Sequence, residues 1–307
     1  MTVIDKAIIR TLLYFDIFGH PLSKSELYGM LGIKADTAEF EKSLAELQNL
    51  NLIRSASGYL FLVNGSSLGE ERVNKQARSL KYQRISRIVS SLINNHPFVK
   101  GILISGSLSK GSFSRNDDID FFIIADPGRI WLCRAFLMMF KKIFLLNSKK
   151  YFCINYFIDS NSLEIPDKNI FTATEIAFLV PVRNTKLCRE FFCANEWIYD
   201  FFPNLKIEFT GCAEASAHIP KQLIERLLMG KSVDKVDTWL MDLYRKRSIK
   251  KFYHSDGSQF PVNIKNEKNV SKYHPNGFQH RILHNYNVKI AEFQTVHNME
   301  LTLMADT

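Results

Sequence analysis

The reading turns on Gly101–Asp126, GILISGSLSKGSFSRNDDIDFFIIAD. An apolar run ends in Gly106-Ser107, a small polar loop follows, and a second apolar run carries Asp118 and Asp120 one residue apart. Packing gives no reason to place two carboxylates inside a buried strand, because burying a charge is costly unless it is paired. Side chains alternate along a strand, so Asp118 and Asp120 share one face about 6.5–7 Å apart while Ile119 and Phe121 take the other. Carboxylates held this way repel each other unless a cation lies between them. Hard oxygen ligands on a rigid strand suit Mg²⁺, which takes one or two carboxylates together with substrate phosphates. The loop supplies the complementary chemistry. Gly106 lets backbone approach a ligand closely. Ser107, Ser109 and Ser112 offer hydroxyls, Lys110 and Arg115 offer cations, and N–H groups exposed after the strand form an anion site. A phosphate cradle beside a pair of metal-binding carboxylates is equipment for phosphoryl or nucleotidyl transfer, where positioning and charge stabilisation carry the catalysis.

Outward from this stretch, the pattern predicts strands in FVKGILISG, DIDFFIIAD and YFCINYFI, with a helix, RIWLCRAFLMMFKKIF, between the last two. Asp117 and Asp126 read as loop and turn residues, the latter in the turn sequence ADPG. A long helix, LGEERVNKQARSLKYQRISRIVSSLINN, precedes the first strand. Its Arg72, Lys75, Arg78, Lys81, Arg84 and Arg87 recur every three residues, so the series spirals about the helix and reads as a solvated face. Together these elements define a segment over 67–165. The fold class is α/β (α+β), with a small mixed sheet at its centre.

Residues 1–66 precede it with three predicted helices and a hairpin, an order that resembles a winged helix-turn-helix. Ser23 and Glu26 form a capping-box pattern at the second helix. Through residue 66 there are six Lys/Arg and seven Asp/Glu, a net of −1, and the third helix carries Asp36, Glu39, Glu41 and Glu46. Phosphate neutralisation dominates DNA affinity, so duplex DNA is not an expected partner of this segment. Residues 166–307 read as mainly helical, with a basic run, YRKRSIKK, and a polar stretch carrying His274, His280 and His284, read as surface loop.

Gly106-Ser107, ten residues, then Asp118-Ile119-Asp120 between apolar strands resembles the signature of the nucleotidyltransferase superfamily, with the DNA polymerase beta-like fold, over roughly residues 98–160. CINYF (Cys153–Phe157) and NEWIYDFFPN (Asn195–Asn204) resemble an uncharacterised bacterial branch of that superfamily and bring no known substrate. The resemblance implies that Gly106 and Ser107 hold the β- and γ-phosphates of an NTP, ATP being the first expectation. It implies that Asp118 and Asp120 bind Mg²⁺ or Mn²⁺. A third carboxylate is expected on the next strand, where this chain has Asn155 in mid-strand and Asp159 near the end. One-metal catalysis, use of Asp159, and nucleotide binding without turnover are the open outcomes. The acceptor class, whether small molecule, protein or RNA, is not specified by the fold.

Composition bounds these readings. With 307 residues, 46% hydrophobic and 12% aromatic, the chain is a core-forming globular protein. A formal charge of +9 favours anionic partners. No apolar run reaches the ~18 residues that a spanning helix needs. Five scattered cysteines form no C-x-x-C pair, so a zinc site or disulfide framework is not suggested and a cytoplasmic setting is expected. Trp131 and Trp197 are expected in the core.

Overall fold

Thr2 opens the first helix. Its hydroxyl accepts from the Asp5 N–H at 3.1 Å while the Asp5 carboxylate accepts from the Thr2 N–H, a reciprocal cap that starts α1 (Val3–Asp16). A two-residue strand, β1 (Leu22–Ser23), leads into α2 (Lys24–Gly29), opened by the same device at Ser23 and Glu26. Asp36 caps α3 (Thr37–Asn49), and β2 (Ile53–Ala56) turns back into β3 (Tyr59–Leu62). Ser57 and Gly58 both have positive φ, the conformation that lets a two-residue turn follow the twist of its strands. The three strands pair antiparallel in the order β1-β3-β2. The computed structural model describes residues 1–63, 68–146, 148, 150–214, 219–252, 263–274 and 278–301.

After α4 (Leu68–Asn94) come β4 (Val99–Ser105), the single turn α5 (Gly106–Ser109), β5 (Asp120–Ala125), α6 (Ile130–Phe144) and β6 (Cys153–Asp159). Then follow α7 (Ile170–Ala177), β7 (Val180–Arg183), α8 (Thr185–Ala194), α9 (Ile198–Phe201), α10 (Ile219–Leu227) and α11 (Lys231–Phe252). The described elements end with β8 (Asn263–Asn266), β9 (Val270–His274) and α12 (Phe278–His297). The larger sheet has the order β7-β4-β5-β6-β9-β8, parallel only between β5 and β6, whose crossover is α6.

Three of these strands lie beyond residue 165, so the sheet crosses the boundary drawn from the sequence. The mainly helical reading of residues 166–307 is corrected first after α7, which stops at Ala177 and is followed by β7, paired with β4. Pro181 explains why β7 is an edge, since it cannot donate to a further neighbour. The polar residues of β8 and β9 carry no apolar alternation, which is why that hairpin was not legible. His280 and His284 are exposed on α12, not in a loop, and the His274 side chain lies outside the described residues.

Each face of the sheet is covered. Ile102, Ile104, Ile119, Phe121 and Ile123 pack with Trp131 and Leu137 of α6 in one core. Leu103, Phe122 and Ile124 join the other, which runs without interruption through Phe171 of α7, Phe191 of α8 and Tyr286 of α12 into Leu12 and Phe15 of α1. The N-terminal segment therefore shares its core with one sheet face. Two asparagines of the 195–204 stretch fix this packing. Asn204 bridges the Ile33 carbonyl and the Ala35 N–H, and Asn195, fully buried, bonds the backbone of Leu163, Ile165 and Phe191. Trp131 is fully buried and Trp197 nearly so, as expected.

Candidate functional site

β4 delivers its chain end to Gly106, where φ is +71°. That left-handed turn is open to glycine without strain, and space requires glycine as well: a Cβ there would lie 2.3 Å from Asp120 Oδ2. Gly106 and Asp120 thus meet at the heads of paired strands, with Ser105 opposite Asp120 in the register. The described strand begins at Asp120, and Asp118 stands just before it. Ile119 and Phe121 are fully buried on the face opposite Asp120, and the expectation that Asp118 also lies within the strand is corrected.

Asn155 is the extra residue of a bulge. Phe121 pairs with Ile154 and Phe122 with Tyr156, leaving Asn155 without an opposite residue. Its Nδ2 donates to Asp120 Oδ1 at 2.6 Å. Burial pushes the Asp120 carboxyl up to about 6. Asp118 and Glu175 push the same way, while a Cys153 hydrogen bond and Lys110 oppose them.

A cleft of about 410 Å³ opens beside this junction. Its polar wall is Ser107, Lys110, Ser112, Asp117, Arg72 and Lys75; its apolar wall is Phe15, Phe18, Phe171 and Phe278. A smaller hollow of about 90 Å³ on the other side holds Asp120, Asn155 and Lys272, and Gly106, Phe171 and Glu175 line both. The Lys110 ammonium pairs with Glu175 at 2.6 Å, which fixes both at this shared wall.

Not every residue picked from the sequence faces the cleft. Ser109 spends its hydroxyl on the Gly106 carbonyl, closing the α5 turn, whereas Ser112 lines the cleft while its hydroxyl donates to the Ser107 carbonyl. Arg115 is exposed and is not among the cleft residues. Asp159 is the clearest departure. It pairs in register with Ala125, at the far end of β5 from Asp120, and its carboxylate accepts from the N–H groups of Gly128 and Asn161. It is a turn clamp, removed from Asp120 by the length of the strand. Among the described residues there is no group of three or more His, Cys, Asp and Glu side chains placed to hold a metal ion.

Lys81, Arg84 and Arg87 are exposed, as the solvated-face reading of α4 expects, and Arg72 is the exception. It is 2% exposed and reaches the Pro21, Lys110 and Gly111 carbonyls, the Glu26 carboxylate and the Tyr59 ring. One guanidinium so joins the N-terminal segment to the loop after β4. Gly111, with φ +65°, leaves the room it needs. His20 lies 6% exposed at the cleft wall, and its Nε2 has no hydrogen-bond partner among the described residues. Burial, with Arg72, Lys110 and Lys75 nearby, pushes its pKa down to about 3, so the ring is neutral. Sequence reading missed Arg72, His20, Glu175 and the aromatic wall. Glu175 alone carried a signal, a single charge in the otherwise uncharged helix IFTATEIA.

Comparisons with protein-family models, curated proteins and solved structures return no match for this chain.

Proposed function

We propose that the protein binds a nucleoside triphosphate in the cleft beside Gly106 and transfers its nucleoside monophosphate to a hydroxyl or phosphate acceptor, releasing pyrophosphate. The observation that carries this reading is the meeting of Gly106 and Asp120 at the edge of a cleft with one polar wall of paired charges and one aromatic wall. A triphosphate matches the polar wall: Ser107 supplies a hydroxyl, and Lys75 and Lys110, each held by a carboxylate in Glu71 and Glu175, supply cations that phosphate oxygens can engage. A purine or pyrimidine ring matches Phe15, Phe18, Phe171 and Phe278. The N-terminal segment, taken as winged-helix-like, then acts as a wall of the nucleotide site. Glu39, Glu41 and Glu46 on the exposed outer face of α3 argue against a duplex-DNA role.

The residues present suit Mg²⁺. Asp120 is a half-buried carboxylate that Asp118 repels, and the bare Gly106 Cα leaves its Oδ2 uncovered. Asp118 and Asp120 would hold the ion, with phosphate oxygens completing its shell. Bound there, it would supply charge neutralisation for the transferred phosphoryl group. Asn155 orients Asp120 through its amide. Lys110, held by Glu175, places a cation beside the phosphate wall.

A second reading has an observation of its own. Asn155 stands where the resemblance expects a third carboxylate, and an amide is no base. On this reading the protein binds Mg-NTP without turning it over. One experiment separates the two. Thermal stability is measured with each NTP, with and without Mg²⁺, for the protein and its Asp118→Asn/Asp120→Asn variant, followed by a pyrophosphate-release assay. Ligand at 100 times its Kd stabilises a protein by about 2.7 kcal/mol. A Mg²⁺-dependent rise that the variant loses supports the site, and pyrophosphate release then supports transfer. No rise with any NTP overturns both.

A further inference from the structure

Helix α10 is amphipathic with its faces reversed. Its polar side chains point into the protein: Lys221 donates to the Asn94 and Val99 carbonyls, and Glu225 accepts from the Phe98 N–H at 2.7 Å. Both are 8% exposed. The cause is local. The turn from α4 into β4 passes through Phe98 at φ +66° and leaves backbone groups that strands and helices do not satisfy. Only polar side chains can meet them, so α10 docks by its polar face. The apolar stripe is thereby turned outward: Ile219, Leu223 and Leu227, four residues apart, are 80%, 58% and 74% exposed. Met229, just past the helix, is 64% exposed.

Gly230 precedes α11, which packs the partly buried Leu240, Met241 and Tyr244 against the core that includes α6 but leaves Trp239 61% exposed. Arg226, Lys235, Lys246 and Arg247 are exposed on the same two helices. Exposed Asp234 is engaged by Arg129, and exposed Asp242 stands against these four cations and Arg245, which leaves a surplus of basic groups. Aliphatic side chains, an exposed tryptophan and a surplus of Lys and Arg form the combination that settles at a lipid headgroup boundary. A second copy of the chain would bring its own +9 against this face. A nucleic acid would satisfy the cations and leave the aliphatic stripe in water.

We propose that α10 and α11 form a peripheral docking surface for an anionic lipid bilayer, with Leu223, Leu227 and Trp239 entering the headgroup boundary and the basic side chains meeting lipid phosphate. This is independent of the nucleotide site. No described helix is long and apolar enough to cross a membrane, so attachment would be from one side.

The full chain is sedimented with phosphatidylcholine vesicles, with and without phosphatidylserine, at low and high salt. Binding to serine-containing vesicles is expected, at least about tenfold weaker without the anionic lipid, reduced by salt, and lost in Leu223→Glu/Leu227→Glu. These leucines lie outside the core, so the variant should keep its melting temperature. Trp239 gives a second readout that needs no charge change. Trp131 and Trp197 are buried, so a vesicle-induced blue shift of fluorescence should vanish in Trp239→Phe. Absence of binding to serine-containing vesicles would overturn the proposal, as would binding unchanged in the leucine variant. So would a lipid-free dimer in light scattering that the same variant dissolves.

Discussion

The two faces of β5 are built from one strand to opposite rules. On one, Ile119, Phe121 and Ile123 are fully buried against α6 and carry no polar group. On the other, Asp118 and Asp120 come first, and only then Phe122 and Ile124 resume the packing. The polar face is not simply less buried. It is closed over by α7, α12 and the end of α1, and a cleft is left beside Gly106. The dry face supports the strand with packing energy. The opposite face carries a carboxylate that Asp118 repels, a group that weakens the fold and that the proposed ligand site would explain. Strain and unpaired polarity gather at sites, and the surrounding core must hold them.

If that division is right, the largest stability loss belongs to the dry face. Phe121→Ala should cost about 3–5 kcal/mol, read as a fall in denaturation midpoint, and should leave the affinity of the remaining folded fraction for Mg-NTP unchanged. An affinity loss there would break the division. Arg72→Ala should come next, at about 3 kcal/mol, because it strands buried carbonyls and the Glu26 carboxylate together. It differs in kind from Phe121→Ala. It should also weaken nucleotide binding, since Arg72 holds the Lys110–Gly111 backbone at the cleft wall.

Gly106→Ala should have a smaller effect on stability, about 1–3 kcal/mol for a positive-φ residue given a side chain. Its effect on binding should be complete, because the new Cβ displaces the Asp120 carboxylate it would otherwise overlap. A variant that melts lower yet binds Mg-NTP normally would show that the Gly106–Asp120 junction belongs to the fold and not to the site.

The strand-loop-strand of Gly101–Asp126 was legible because its chemistry is local. A glycine, a turn and alternating side chains need no distant partner to be understood. The capping box at Ser23 and Glu26 was legible for the same reason. What was hidden depends on contacts between segments. Arg72 looks like any other cation in a basic helix until Pro21, Glu26 and Gly111 surround it. Asp159 and Asn155 stand on one predicted strand, and only the bulge and the register show that the amide, not the acid, meets Asp120. β8 and β9 were invisible because their residues are polar and their pairing is supplied by β6.

The remaining effect, a pH-dependent one, tests the polar face most directly. With the Asp120 carboxyl raised to about 6, its protonated form is favoured by folding. Its contribution to stability is therefore fully present below the unfolded value near 3.8 and lost as pH rises through about 6. Asp120→Asn imitates the protonated state and keeps an oxygen to accept from Asn155. Below pH 4 the variant and the parent should melt alike. Above pH 7, without Mg²⁺, the variant should be the more stable of the two, the gap opening through pH 6. Asp118 and Glu175 oppose ionisation of the group and Lys110 favours it, so Lys110→Met should widen the gap by removing that attraction. Added Mg²⁺ should close it at neutral pH by stabilising the parent alone. An ion that leaves the gap open would mean that the repulsion between Asp118 and Asp120 is not relieved by a cation, and the reason for keeping two carboxylates at the head of β5 would have to be sought elsewhere.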